Sequence, residues 1–69
     1  MRKVIDAVTG GELAMEFVTG MYVYHINELD GDGEVVKSTS VSDPKKAKAL
    51  WGRVKAKAAA GAAEKGVGV

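Results

Sequence analysis

Two β-rich runs joined by Asp-Gly units and followed at once by a helix start constrain this chain most. Met21-Tyr-Val-Tyr-His-Ile-Asn-Glu-Leu29 reads as a strand, Asp30-Gly-Asp-Gly33 as a turn, and Glu34 to about Val41 as the returning strand. Asp-Gly between such runs is a strong short-range hairpin signal, because the turn needs residues that tolerate positive φ. Ser42-Asp43-Pro44 then opens a helix. Asp offers an oxygen to the unpaired N–H groups of the first turn, and Pro suits the first helical position, where its missing N–H is not needed. A hairpin beside a helix predicts an α+β fold.

The 69 residues leave room for one domain and a thin core. Domains near this size bury only about 60% of their unfolded surface. No cysteine is present, so neither a disulfide nor a thiolate metal site can reinforce the fold. At 46% hydrophobic and 28% charged residues, the composition is that of a globular chain. No apolar run reaches the ~18 residues of a membrane span and no signal-peptide pattern opens the sequence, so a cytoplasmic product without a membrane partner is expected. The net charge of +1 conceals an asymmetry: residues 1–36 hold two cations and seven acids, residues 37–69 eight cations and two acids. Either the two halves attract each other within the fold, or the chain docks electrostatically on a partner or on its own copies.

Residues 1–20 admit two readings. Val4–Val8 suits a short strand or the start of a helix. Thr9-Gly-Gly-Glu12 has the spacing of a capping box, Glu12–Phe17 is made mostly of good helix formers, and Gly20 sits where a left-handed cap would end the helix. Against this, Leu13, Met15 and Phe17 alternate with Glu12, Ala14 and Glu16, the period of a strand, with Thr9-Gly10-Gly11 as a hairpin turn. The helix is the favoured expectation.

In the strand from Met21, residues Met21, Val23 and His25 point one way and Tyr22, Tyr24 and Ile26 the other. One face is expected to pack on helices. The other is a candidate contact surface carrying Tyr22 and Tyr24, unless the tyrosines lean over the edge of the core. On the helix from Pro44, Ala47, Leu50, Trp51, Val54, Ala58 and Ala62 share a face of about 120° at 100° per residue. Leu50 and Trp51 are the expected anchors. Lys45, Lys48, Arg53, Lys55 and Lys57 lie outside that face. Fraying is expected beyond Ala60, which gives a domain over 1–62 and a mobile tail over 63–69.

No enzyme or metal signature emerges. Asp30, Asp32 and Gly33 match an EF-hand loop poorly, since Thr39 stands at the place of the bidentate Glu and Glu28 at the first ligand. His25 is the only histidine, with no Ser in a recognisable triad spacing, and is expected to be structural. Gly10-Gly11 lacks the rest of a phosphate loop. Six cations within Lys45–Lys57 make the helix a nucleic-acid candidate, although a solvated charged face is the commoner origin of such a run.

One resemblance adds to this. Val18-Thr19-Gly20 before a hairpin with an Asp-Gly turn, then Thr39-Ser-Val-Ser-Asp43, then Lys45-Lys46 in the first turn of a helix, resembles the head-to-tail joining protein W (head-completion) family of lambda-like bacteriophages. The likeness covers about residues 18–50. Pro44 replaces an apolar residue, the turn is longer, and Gly10-Gly11 would interrupt the family's long first helix. The resemblance implies a helix–hairpin–helix protein that completes the head at the portal ring. It implies contacts with the portal or a neighbouring connector protein, assembly into a homo-oligomeric ring, and a place in the virion after synthesis in the host cytoplasm.

The expectation is thus a non-enzymatic structural protein with no cofactor, metal or small-molecule substrate. Its expected partner contacts are Tyr22, Tyr24, Lys45, Lys48, Arg53, Val67 and Val69, with non-specific contact to packaged DNA as a further expectation. The rival readings are a small nucleic-acid-binding protein using the basic helix over 44–58, and a small inhibitor of a host enzyme.

Overall fold

Three tight turns divide the first forty-odd residues into four strands. The computed structural model describes residues 2–67, with side chains through Ala60. The elements are β1 (Arg2–Val8), β2 (Gly11–Val18), β3 (Met21–Leu29), β4 (Val35–Val41) and α1 (Pro44–Val67). Each strand pairs antiparallel with the next in order β1-β2-β3-β4, and α1 packs on one face of this meander. The fold is α+β, as the hairpin and helix signals predict. No helix among the described residues is long and apolar enough to cross a membrane.

The expected N-terminal helix is replaced by β1 and β2. Gly10, at φ +87°, turns the chain between Val8 and Gly11, which pair directly. Thr19 and Gly20, at φ +48° and +80°, turn it between Val18 and Met21. Positive φ at both central residues is what a type I′ hairpin turn requires, so Gly20 ends a strand where a helix cap was expected. Thr19 is β-branched and sterically disfavoured there. Helix propensity over Glu12–Phe17 is worth tenths of a kcal/mol per residue. Pairing with β3 along the whole segment and with β1 as far as Glu16 outweighs it. The helix–hairpin–helix layout implied by the resemblance therefore holds only for its hairpin and second helix.

The third turn is organised by Asp30. Its carboxylate accepts the N–H groups of Asp32 and Glu34, both at 2.9 Å, and Gly33 takes φ +83°. These acids shape a turn. No group of three metal-ligating side chains occurs among the described residues.

The helix begins as its sequence predicts: Asp43 Oδ1 accepts the N–H of Lys45 at 2.9 Å, and Ala47 N–H bonds back to the Asp43 carbonyl. It continues through Val67, past the fraying point expected at Ala60. Ile26, Ala47 and Trp51 form the buried centre, with Val8, Leu13, Tyr24, Val41, Leu50 and Val54 packed around it. Trp51 is 4% exposed. Gly11 is where α1 comes closest to the sheet. A Cβ there would stand 2.6 Å from Val54 Cγ1 and 3.3 Å from Trp51 Cζ3.

Candidate functional site

The β2–β3 hairpin carries an apolar end. Phe17 pairs with Tyr22 and Val18 with Met21 across the turn. Because side chains alternate along a strand, Phe17 and Tyr22 project on the helix side of the sheet and Val18 and Met21 on the other. All four are exposed, at 56%, 54%, 40% and 54% respectively. The aromatic rings of Phe17 and Tyr22 lie 5.1 Å apart and tilted by 52°. The helix begins over Tyr24 and Val41 and runs toward the other end of the sheet, so it leaves this end uncovered.

This geometry separates the two tyrosines. Tyr22 belongs to the exposed end, whereas Tyr24 lies on the helix-packed face against the core. The face they share is therefore the covered one, and the open face carries the other set of β3 side chains.

That open face bears two rows of cross-strand hydrogen bonds. In one, His25 Nε2 lies 2.9 Å from Glu16 Oε1, and His25 Nδ1 lies 2.8 Å from Ser40 Oγ. A carboxylate only accepts, so Nε2 carries the proton and Ser40 donates its hydroxyl to Nδ1. Arg2 Nη2, 3.7 Å from Glu16, supplements this pair. The hydrogen bond from His25, helped by the Arg2 charge, holds the Glu16 carboxyl below its ordinary pKa against desolvation. In the second row, Asn27 Nδ2 donates to Glu12 Oε1 at 3.1 Å and Ser38 Oγ donates to Asn27 Oδ1 at 2.6 Å.

Ser40, His25 and Glu16 thus stand in the order of a hydrolase relay, a grouping the sequence spacing does not reveal. Cross-strand register supplies it: Ser40 sits opposite His25, and Glu16 is diagonal to it. Nucleophilic catalysis also needs donors aimed at a developing oxyanion. The grooves beside α1 lie on the opposite face of the sheet. The second row repeats the pattern with Asn27, which cannot act as a base. Both rows are polar ladders that satisfy buried side chains: among the described residues no buried side-chain polar atom lacks a partner. His25 is 8% exposed and is held between Ser40 and Glu16 in this row.

Five of the six cations within Lys45–Lys57 divide into two rows: Lys48 and Lys55 flank the buried stripe on the β1 side, and Lys46, Arg53 and Lys57 flank it on the β4 side. Lys45 lies between the rows with exposed Ala49, Gly52 and Ala56. Lys57 Nζ reaches Glu28 at 3.1 Å and Lys37 lies 3.9 Å from the same carboxylate. Lys45, Lys48 and Arg53 form no ion pair among the described residues, so attraction between the two halves of the chain uses only part of its charge asymmetry. Arg53 and Lys57 also border a groove of about 240 Å³ between α1 and β4, floored by Ile26, Leu50 and Val54. The side chain of Val67 and residue Val69, both expected contacts, fall outside the described residues, as do the side chains of the expected tail.

The chain matches no family model, no curated protein and no solved structure.

Proposed function

We propose that this chain is a non-catalytic structural protein that joins other subunits by surface contact. Its setting is the one the resemblance implies: the head–tail junction of a tailed bacteriophage, where it completes the head at the portal. The observation that carries the reading is the β2–β3 end. Phe17, Val18, Met21 and Tyr22 present a contiguous apolar surface on both faces of one hairpin. A single packed helix can cover only one face, so this end remains wet until another protein encloses it. Aromatic and methionine side chains clustered in this way are characteristic of the buried centre of protein interfaces. An apolar recess on a neighbouring connector subunit is the occupant it fits.

Two further features support the same role. The stretch that resembles the joining family, residues 18–50, includes Val18, Met21 and Tyr22 of the apolar end, β3, β4 and the first turns of α1. The acids of β2 and of the Asp30–Glu34 turn, set against the cations of α1, suit copies arranged side by side in a ring with opposite charges facing. Nucleic-acid binding is less well supported, because Lys37 and Lys57 are drawn onto Glu28 and the open sheet face carries Glu12 and Glu16.

Purified cognate heads lacking their own joiner provide the test. The wild-type chain should co-sediment with them, and Met21→Asp, with an unchanged circular dichroism spectrum, should remain in the supernatant. Wild-type protein that stays in the supernatant would refute the role. Binding that instead follows added duplex DNA and weakens steeply with salt would favour the nucleic-acid reading.

A further inference from the structure

We propose that the groove between α1 and the outer edge of β4 binds an extended acidic segment of a partner protein, which adds to the sheet as a fifth strand. The inference deepens the docking role above and rests on it only in that a partner supplies the segment.

The two edges of the sheet are unlike. β1 carries Arg2, Lys3 and Asp6 and is kinked by a bulge between Val4 and Asp6, the devices that keep a sheet edge from pairing with another chain. The irregularity of β4 lies at its start, where Val36 is the extra residue. From Lys37 to Val41 the edge is regular, with one charge, and no further strand pairs with it among the described residues. Its outward N–H and C=O groups are a template for an added strand.

The groove beside this edge has the chemistry to choose the added strand. Its floor is apolar, from Ile26, Leu50 and Val54, and its rim holds Lys37, Arg53 and Lys57 against the single carboxylate Glu28. A second cavity of about 230 Å³ continues past Val54 and Lys57 to Val36 and Ala58. Lys46, Arg53 and Lys57 recur on one side of α1 over roughly 16 Å at 1.5 Å per residue. Lys37–Val41 spans roughly 13 Å at about 3.3 Å per residue. A strand laid on β4 would send alternate side chains toward the groove, apolar ones onto Leu50 and Val54 and acidic ones to the rim cations. Pairing of two copies edge to edge would bring two sets of these cations together, which disfavours self-association here.

The test is fluorescence anisotropy with a short labelled peptide that repeats Val-Thr-Glu-Thr, so that one face of the strand alternates valine with glutamate. The same peptide with lysine for glutamate, and one with alternate backbone amides methylated, serve as controls. The acidic peptide should bind more tightly as salt is lowered, and both controls should fail. Arg53→Glu, an exposed position, should weaken binding at least tenfold, and the largest amide ¹H–¹⁵N shifts should fall within residues 37–41. No binding at millimolar peptide, indifference to amide methylation, or shifts confined to the β2–β3 end would overturn the proposal. Because the hairpin end is remote from the groove, a negative result here leaves the head-binding test standing.

Discussion

The indole N–H of Trp51 donates to the carboxylate of Asp6 across 2.9 Å, joining the middle of the helix to an edge strand 45 residues earlier. The same ring packs on Ile26 and Ala47, so one side chain serves both as the largest buried body and as a polar clasp. Trp51→Ala removes both, and the loss expected for a fully buried tryptophan is about 3–5 kcal/mol. For a domain this small that is most of the folding free energy. Urea unfolding monitored by circular dichroism should therefore find the variant largely unfolded at room temperature.

The clasp also makes stability depend on pH. The Trp51 hydrogen bond, with smaller help from the Ala7 N–H and the Lys55 charge, holds the Asp6 carboxyl below its ordinary pKa in the folded state. A lowered folded pKa means that the unfolded chain takes up the proton first on acidification. The stabilisation is then complete above the ordinary carboxyl value near 4 and is lost as pH falls through the lower folded value. Melting temperatures of wild type and Asp6→Asn, measured from pH 7 to pH 2, should differ above pH 4 and converge below it. A constant difference would show that the Asp6 charge plays no part.

Gly11 and Gly52 should respond to alanine with opposite signs. At Gly11 the added methyl would meet Val54 and Trp51, and overpacking of this kind costs about 1–3 kcal/mol. At Gly52 nothing lies within 4 Å of the new Cβ, and alanine should stabilise the helix by about 1 kcal/mol. Denaturant midpoints of the two variants check both at once.

How much of this is legible in the sequence depends on the range of the interactions involved. The Asp43–Pro44 start, the Asp30–Gly33 turn and the Leu50–Trp51–Val54 stripe are fixed by neighbours within four residues, and all three are present as expected. Glu12–Phe17 suits helix or strand locally, and only pairing with β1 and β3 decides it, so the local reading chose wrongly. Gly11 reads as a turn residue, yet its lack of a side chain matters to a helix forty residues away. Ser40, His25 and Glu16 meet through strand register, which spacing along the chain does not disclose. The Tyr22–Tyr24 face could be assigned to solvent or core only once the helix had a side of the sheet to cover.

The His25 row carries a prediction of its own. With Glu16 fixed as acceptor at Nε2, the neutral imidazole should bear its proton on Nε2, a form that long-range ¹H–¹⁵N correlation spectra identify at alkaline pH. Ser40→Ala should leave that tautomer in place, whereas Glu16→Ala should release it. A proton on Nδ1 in the wild type would mean that the row is not assembled as described.

The proposed role of the apolar β2–β3 end is to join this protein to a neighbouring subunit in the virion. Its most direct measurement is the fraction of tailed particles, counted by electron microscopy, after purified protein is added to cognate tails and joiner-deficient heads. Wild-type protein should restore tailed particles, and Met21→Asp, folded but charged at that end, should not. Equal restoration by both proteins, or none by either, would contradict it.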